Sequence, residues 1–154
     1  MNIKVAETDI EIKDALNIRK TVFVNEQQVP LSIEMDDHDE EAIHFIGYLN
    51  EVPILASRLR FVDDYGKLER ICVLKEHRGK SFGQHVIHTM ESTIKDHGYT
   101  RALLNAQEHA IGFYEKLGYR VKSKPFIDAG ISHVTMEKSI SSRQSFKKQQ
   151  SYNQ

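Results

Sequence analysis

The stretch from Leu68 to Gly98 constrains the fold more than any other part of this 154-residue chain. It begins with strand character, because Ile71 and Val73 are apolar and β-branched. It continues with apolar side chains at helical spacing, and Gly98 is a natural helix stop. Between the two, residues 78–83 read Arg-Gly-Lys-Ser-Phe-Gly. The first N–H groups of a helix have no partner within it, so this basic loop predicts a main-chain site for a phosphate or pyrophosphate.

Apolar patterns along the rest of the chain predict further strands and helices. Thr8 or Asp9 is the expected cap of the first helix, and Asp63–Gly66 is an expected turn. The element order β-α-β-β-β-α-β-α-β-β indicates a mixed α/β arrangement in one domain. Ser139–Gln154 follows as a polar tail with the composition of a disordered segment. Strands are predicted at 3–5, 44–49, 53–61, 68–73, 102–106, 119–121 and 132–136, and helices after Thr8, from 82 and over 109–117.

Charge and composition exclude several classes of function. Lys and Arg number 21 against 22 Asp and Glu, so the chain lacks the basic character of a nucleic-acid-binding protein. The single cysteine, Cys72, rules out an internal disulfide and suits a reducing compartment. The start of the chain does not resemble a signal peptide, and no apolar run reaches the length of a membrane span. We therefore expect a soluble cytoplasmic protein without nucleic-acid or membrane partners.

Residues 34–41 are densely acidic. They could form a metal site or a docking surface for a cationic amine, or they could be a solvated loop. Carboxylates that bind a metal need a fixed cage, and the glycine-centred spacing of a calcium loop is absent. A solvated loop is the simpler interpretation.

Two motifs carry a family resemblance. Val73 followed after four residues by Arg78-Gly79-Lys80-Ser81-Phe82-Gly83 resembles motif A of the GCN5-related N-acetyltransferases (the GNAT family). Residues 110–119, Ala-Ile-Gly-Phe-Tyr-Glu-Lys-Leu-Gly-Tyr, are similar to the family pattern Ala-x-x-x-Tyr-x-x-x-Gly-Phe/Tyr. A single glycine loop occurs by chance, but two motifs in the family's order, on the expected elements, are specific together.

The N-terminal part is similar to a bacterial subgroup, the ElaA/YjcF-like predicted acetyltransferases. Arg19 and Phe23 also resemble the N-terminal helix of acyl-homoserine-lactone synthases, which share the fold but use an acyl carrier. The matching residues are Arg19, Val22, Phe23, Val24, Glu26, Gln27, Glu34, Asp36 and Asp39.

The resemblance covers about residues 1–138 and implies the GNAT fold, a mixed, mostly antiparallel central sheet flanked by helices on both faces. It also implies acetyl-CoA as cosubstrate, without a metal. Ser81 stands where the family loop has its middle glycine, and Gln107 where many members have a cofactor-binding asparagine. The implied cofactor-binding residues are Ile71, Cys72 and Val73 for the pantetheine arm, Arg78, Gly79, Lys80, Ser81, Phe82, Gly83 and Gln84 for the pyrophosphate, and Asn105, Gln107 and Tyr114.

The implied reaction is direct transfer of an acetyl group to an amine of a small molecule or peptide. A backbone N–H at Cys72 or Val73 would stabilise the thioester oxygen, and Tyr114 would protonate the leaving thiolate. A phenol has a reference pKa of about 10, above that of a thiol at about 8.5. Tyr114 could be a core aromatic residue, since its neighbours are apolar, but the motif context favours the functional interpretation.

The general base is open. Glu69 lies on the motif A strand and is one candidate, but it could equally pair with Arg70 or Lys67. Glu108, His109 and a water relay are alternatives. Cys72 has no histidine at a legible spacing, so a small buried residue is a better interpretation than a nucleophile.

Arg19, Glu26 and Glu34 could line the acceptor side or lie on a solvated helix face. Two other functions stay open at this point: a non-catalytic CoA-binding or regulatory module, and an acyl transferase that uses an acyl carrier. Because the family often forms dimers, a homodimer is expected as an assembly.

Overall fold

The computed structural model describes residues 1–141, so the predicted tail lies outside the described residues from position 142 on. The strands are β1 (Asn2–Val5), β2 (Ile43–Leu49), β3 (Val52–Val62), β4 (Tyr65–Val73), β5 (Arg101–Gln107), β6 (Arg120–Val121), β7 (Phe126–Asp128) and β8 (Ile131–Ser139). The α-helices are α1 (Asp9–Arg19), α2 (Leu31–Glu34), α3 (Phe82–Asp96) and α4 (Ile111–Lys116). A π-helix, Lys20–Glu26, continues α1, and short 3₁₀ turns occupy Asp37–Asp39, Lys75–His77 and Glu108–Ala110.

The chain divides into two compact units. The first comprises residues 1–60 and 68–89, and the second comprises 61–67 and the chain from 90 on. The domain boundary expected at residue 138 stays a prediction.

In the first unit, β1 pairs antiparallel with β2, and β2 with β3. Asn50 and Glu51 form the two-residue turn between β2 and β3, both with positive φ (50° and 68°), as such hairpins require. Thr8 caps α1 through a capping box with Glu11, which confirms one of the two predicted caps. The buried face of α1 packs on the sheet in a core of Ala6, Ala15, Ile18, Val22, Ile46, Ala56 and Cys72.

In the second unit, β5, β6 and β7 all pair antiparallel with β8. The register sets Leu104 opposite Met136, and both side chains are buried. The expected fold class is confirmed: a mixed α/β protein with a mostly antiparallel central sheet and helices.

Two local expectations were wrong. Gly66 lies inside β4, not in a turn, and a Cβ there would come within 2.5 Å of Ile94. The glycine therefore permits close packing of α3 on the strand. The sequence pattern also predicts no strand between 121 and 132, but residues 126–128 form the short strand β7 between Pro125 and Gly130.

Among the described residues, the helices are too short or too polar to cross a membrane. Residues 1–141 also contain no group of three or more His, Cys, Asp or Glu side chains that could hold a metal ion.

Candidate active site

The loop that precedes α3 has the backbone of an anion-binding turn. Gly79 has φ +79° and Ser81 has φ +67°, both in the left-handed region. A Cβ on Gly79 would meet nothing within 4 Å, so backbone conformation rather than space calls for glycine there. The His85 N–H donates to the Ser81 carbonyl at 3.1 Å, so Ser81 caps α3. The N–H groups of the next residues then have no partner within the helix and stay available to an anion.

The side chain of Arg78 is committed to the protein. Its Nε donates to the Val73 carbonyl at 2.9 Å, and its two terminal nitrogens donate to the Glu26 carboxylate at 2.6 and 2.7 Å. The hydrogen bonds from Arg78 lower the pKa of Glu26. Arg78 thus ties the end of β4 to the π-helix, and the structure brings together a predicted cofactor residue and a predicted acceptor-side residue.

Cys72 is buried in the core, as predicted, and its thiol donates to the Ala56 carbonyl at 3.7 Å. Burial, with the nearby charge of Glu34, raises the pKa of the thiol to about 12. A thiol that keeps its proton at neutral pH is a poor nucleophile, so this environment argues against an acyl-enzyme at Cys72.

Arg70 sits in the interior of β4 with φ +56°. This left-handed conformation costs a residue with a Cβ about 1–2 kcal/mol and interrupts a regular strand. Its guanidinium contacts Glu34 at 2.8 Å and Asp36 at 3.3 Å. A left-handed residue within a strand changes the direction in which neighbouring side chains point. Arg70 directly precedes the residues predicted to hold the pantetheine arm.

Arg70 belongs to a set of four arginines and four carboxylates, three of them buried and five half-buried, which we call the arginine–carboxylate network. Arg19, Arg58 and Glu34 are 0%, 1% and 2% exposed. Burial at this depth is tolerated only because every charge has opposite charges in contact. The pairs are Arg19–Glu34 (2.6 Å), Arg19–Asp39 (2.8 Å), Arg58–Asp36 (2.6 Å), Arg58–Asp39 (2.9 Å), Arg58–Glu69 (3.0 Å), Arg60–Glu69 (2.7 Å), Arg70–Glu34 (2.8 Å) and Arg70–Asp36 (3.3 Å).

The network corrects two expectations. Residues 34–41 are not simply a solvated loop, since Glu34, Asp36 and Asp39 turn inward to arginines. Arg19 does not lie on a solvated helix face. Sequence reasoning missed the partners because they are 9 to 36 positions apart, although Arg58 and Arg60 on a mostly apolar strand were a visible signal.

Within the network, the pKa values of Glu34 and Asp36 are shifted in opposite directions. Burial raises the pKa of Glu34, against the attraction of Arg19 and Arg70. Burial also opposes ionisation of Asp36, but hydrogen bonds and charge from Arg58 outweigh it and lower the pKa to about 2.

Glu69, the candidate base, is a member of the network. Its carboxylate accepts from Arg58 Nε at 3.1 Å and from Arg60 Nε and Nη2 at 2.7 and 3.2 Å. Glu69 is therefore ion-paired, although Arg58 and Arg60 are not the partners that the sequence suggested. Its role as a base stays a prediction.

Tyr114 lies on α4 in the second unit and is partly buried. Burial raises the pKa of its phenol to about 12. Its ring meets the rings of Phe113 and Tyr119 edge to face, at centroid distances of 5.1 and 5.9 Å. A phenol in this environment stays protonated through the physiological range and can donate a hydrogen bond.

The other predicted polar residues of the second unit have protein contacts. The Asn105 side-chain oxygen accepts from the Thr135 hydroxyl at 2.9 Å. The Gln107 oxygen lies 2.8 Å from His109 Nε2, and Glu108 accepts from the Ser132 hydroxyl at 2.9 Å. These contacts orient the side chains without burying them.

Comparison with known proteins bears on these features. The sequence model of the acetyltransferase (GNAT) domain matches residues 11–140. YjcF of Bacillus subtilis, described as an uncharacterized N-acetyltransferase, is 45% identical over 139 residues, which are 90% of this chain and 99% of YjcF.

Two crystal structures extend the comparison to the fold. Escherichia coli ElaA has a TM-score of 0.79 at 22% identity, over 89% of this chain and 98% of its own. The PaiA N-acetyltransferase of Thermoplasma acidophilum, solved in complex with coenzyme A, has a TM-score of 0.67 at 15% identity, over 90% and 99%. At these identities the likeness shows the shared fold alone.

Proposed function

The chain belongs to the GNAT acetyltransferase family, with YjcF-like N-acetyltransferases among its relatives, and from this premise we propose that it transfers an acetyl group from acetyl-CoA to an amine of a small molecule or peptide. The observation that carries the proposal is the loop before α3, where Gly79 and Ser81 are both left-handed. That backbone suits a pyrophosphate better than any other feature of the described chain.

The residues of the loop fit the cofactor. Main-chain N–H groups of 79–84 would hold the pyrophosphate at the positive end of the α3 dipole, with Lys80 adding charge. Ser81 adopts a conformation that a glycine would adopt and adds a hydroxyl donor. Because Arg78 is paired with Glu26, we assign it the role of shaping the loop. Acetyl-CoA supplies the acetyl group as an activated thioester.

The chemistry needs three contributions from the protein. The acceptor nitrogen must be unprotonated when it attacks the thioester carbon, because an ammonium has no lone pair. A backbone N–H at Cys72 or Val73 would stabilise the negative oxygen. The Tyr114 phenol would donate a hydrogen bond to the leaving sulfur. Since its pKa of about 12 lies above that of a thiol, Tyr114 stabilises the thiolate rather than losing its proton to it at equilibrium.

We assign removal of the acceptor's proton to solvent water in preference to Glu69. The oxygens of Glu69 already accept three hydrogen bonds from two guanidinium groups. Glu69→Gln keeps the shape of the side chain and separates the two possibilities. The lost ion pairs lower stability in either case, so the comparison is activity per folded molecule: it stays unchanged if water takes the proton and is lost if Glu69 is the base.

The test is a panel of amine acceptors incubated with acetyl-CoA, with free thiol release as the readout. Tyr114→Phe should bind acetyl-CoA normally but lower kcat by about 10-fold or more, the size of a lost transition-state hydrogen bond. Tyr99→Phe is the matched control, since it removes a hydroxyl from a tyrosine that stacks on Phe61. Tight acetyl-CoA binding without turnover on any acceptor would instead favour a CoA-binding module.

A further inference from the structure

We propose that Tyr119, Glu91 and Lys138 form a positioning unit that holds the ring of Tyr114 in its working orientation. The proposal rests on the proposed function of Tyr114. It assigns a role to three residues, two of which lie outside both family motifs.

Glu91 is the buried anchor of this unit. It lies on α3 and is 5% exposed. One carboxylate oxygen accepts from the Tyr119 hydroxyl at 2.7 Å, and the Lys138 ammonium lies 3.1 and 3.2 Å from the two oxygens. A buried carboxylate satisfied by one ammonium and one phenol is held in a single geometry.

Tyr119 connects this anchor to Tyr114. Its ring is 1% exposed and packs edge to face against the Tyr114 ring, with an angle of 75° between the ring planes. Its backbone N–H donates to the Tyr114 carbonyl at 3.1 Å. Main chain and ring therefore both fix Tyr114, and the hydroxyl bond to Glu91 prevents the Tyr119 ring from shifting.

Lys138 completes the unit by passing over Gly118. Gly118 has φ +101°, and a Cβ there would come within 3.2 Å of Lys138 Cε. The Lys138 ammonium lies 5.7 Å from the centre of the Tyr119 ring. Both later residues of the Tyr-x-x-x-Gly-Tyr pattern thus have a structural role. Gly118 leaves room for Lys138, and Tyr119, held by Glu91 and Lys138, restricts the position of Tyr114.

The hydrogen-bond directions exclude a proton relay through this unit. The Tyr119 hydroxyl donates its only proton to Glu91, so it has none to offer Tyr114. Tyr119 acts through the position of its ring. A small displacement of Tyr114 would weaken a hydrogen bond to the leaving sulfur that matters in the transition state more than in the ground state.

The experiment measures kcat and KM for acetyl-CoA in Tyr119→Phe, Glu91→Gln and Lys138→Met. Each should lower kcat by about 5-fold with KM for acetyl-CoA nearly unchanged, as expected for a displaced catalytic group. Lys122→Met is the matched control: it removes an exposed ammonium that pairs with Glu137 at 3.4 Å, and its kcat should not change.

A double-mutant cycle separates positioning from general stability. In a Tyr114→Phe background, Tyr119→Phe should cause no further loss of kcat, because the group that it positions is already gone. If Tyr119→Phe lowers kcat by the same factor in the unsubstituted protein and in Tyr114→Phe, the proposal is overturned. If Tyr114→Phe alone leaves kcat unchanged, the proposed role of Tyr114 fails first. If kcat falls in Tyr114→Phe but not in the Tyr119, Glu91 and Lys138 variants, only the proposed positioning unit is overturned.

A second measurement needs no acceptor. With ¹³C-labelled tyrosine, NMR follows ionisation of Tyr114, which should stay protonated at pH 10.5 in the unsubstituted protein. In Tyr119→Phe and Glu91→Gln the loosened ring should gain water and begin to ionise by that pH. Unchanged titration of Tyr114 in both folded variants would overturn the proposal.

Discussion

The Tyr114 phenol and the Cys72 thiol both have pKa values above those of the same groups in water. Burial is the main cause for both, and it raises each pKa to about 12. The consequences differ because the functions of the groups differ. A thiol needs ionisation to react, so Cys72 is inert, whereas a phenol that donates a hydrogen bond must stay protonated.

The first prediction concerns the pH dependence of kcat. Activity should rise with pH as the acceptor amine loses its proton, and Tyr114 should cause no decline up to pH 10, since its pKa is about 12. The measurement is kcat from pH 6 to about 10, a range set by the reference values of amines. A fall to about half by pH 10 that disappears in Tyr114→Phe would show a phenol with the ordinary pKa of about 10 and contradict this assignment.

Strand β4 carries backbone strain at Arg70, which the ion pairs to Glu34 and Asp36 offset. A strained residue persists only when its surroundings hold it there. In this protein those surroundings include Glu34 at the end of α2 and Asp36 in the loop after it.

The second prediction compares Arg70→Gly with Arg70→Ala. Both lose the ion pairs, but only alanine keeps a Cβ in the left-handed conformation. Arg70→Gly should therefore be the more stable variant by about 0.5–1 kcal/mol in urea unfolding, the reverse of the usual order in strands. Lys67, on the same strand and not left-handed, is the control site, where alanine should be at least as stable as glycine.

The third prediction concerns how much Asp36 contributes to the stability of the folded protein as the pH falls. Its folded pKa of about 2 lies below the ordinary value of 3.8 for an aspartate, so its contribution is present above pH 4 and is lost as the pH falls towards 2. That contribution is about 2 kcal/mol. Asp36→Asn should remove it, so the stability difference from the unsubstituted protein should shrink between pH 5 and about 2.5 in urea titrations.

Glu34 should have the opposite effect on the pH dependence of stability. Because burial raises its folded pKa, protonation of Glu34 at low pH should stabilise the folded protein. Asp37→Asn, at an exposed neighbour, is the control for Asp36→Asn. A constant stability difference between Asp36→Asn and the unsubstituted protein across this pH range would show that Arg58 does not hold Asp36 in solution.

At the scale of the whole molecule, binding of acetyl-CoA should stabilise the fold. At 100 times its Kd, a ligand that binds only the folded protein adds about 2.7 kcal/mol. For a domain of this size we expect Tm to rise by about 5–10 °C in a thermal melt. Acetyl-pantetheine, which lacks the pyrophosphate, should raise Tm far less. An equal rise with both would remove the loop before α3 from cofactor binding.

The sequence by itself determined the fold class, most element positions and the family, and it predicted the anion-binding role of the loop before α3. These depend on local features: the period of apolar residues, a basic glycine loop before a helix, and a short motif with its own spacing. Even Ser81 was visible as a departure from the family pattern, although its left-handed φ was not.

The tertiary structure decided which charges meet. It paired Arg78 with Glu26, Glu69 with two arginines, and Glu91 with Tyr119 and Lys138. These partners are 9 to 52 positions apart, and most are more than 15 apart. Whether a charged side chain faces water or a partner depends on desolvation and on the geometry of several elements at once. No local pattern of residues carries that information, so the roles of Glu69 and Arg19 could not be read before the chain was folded.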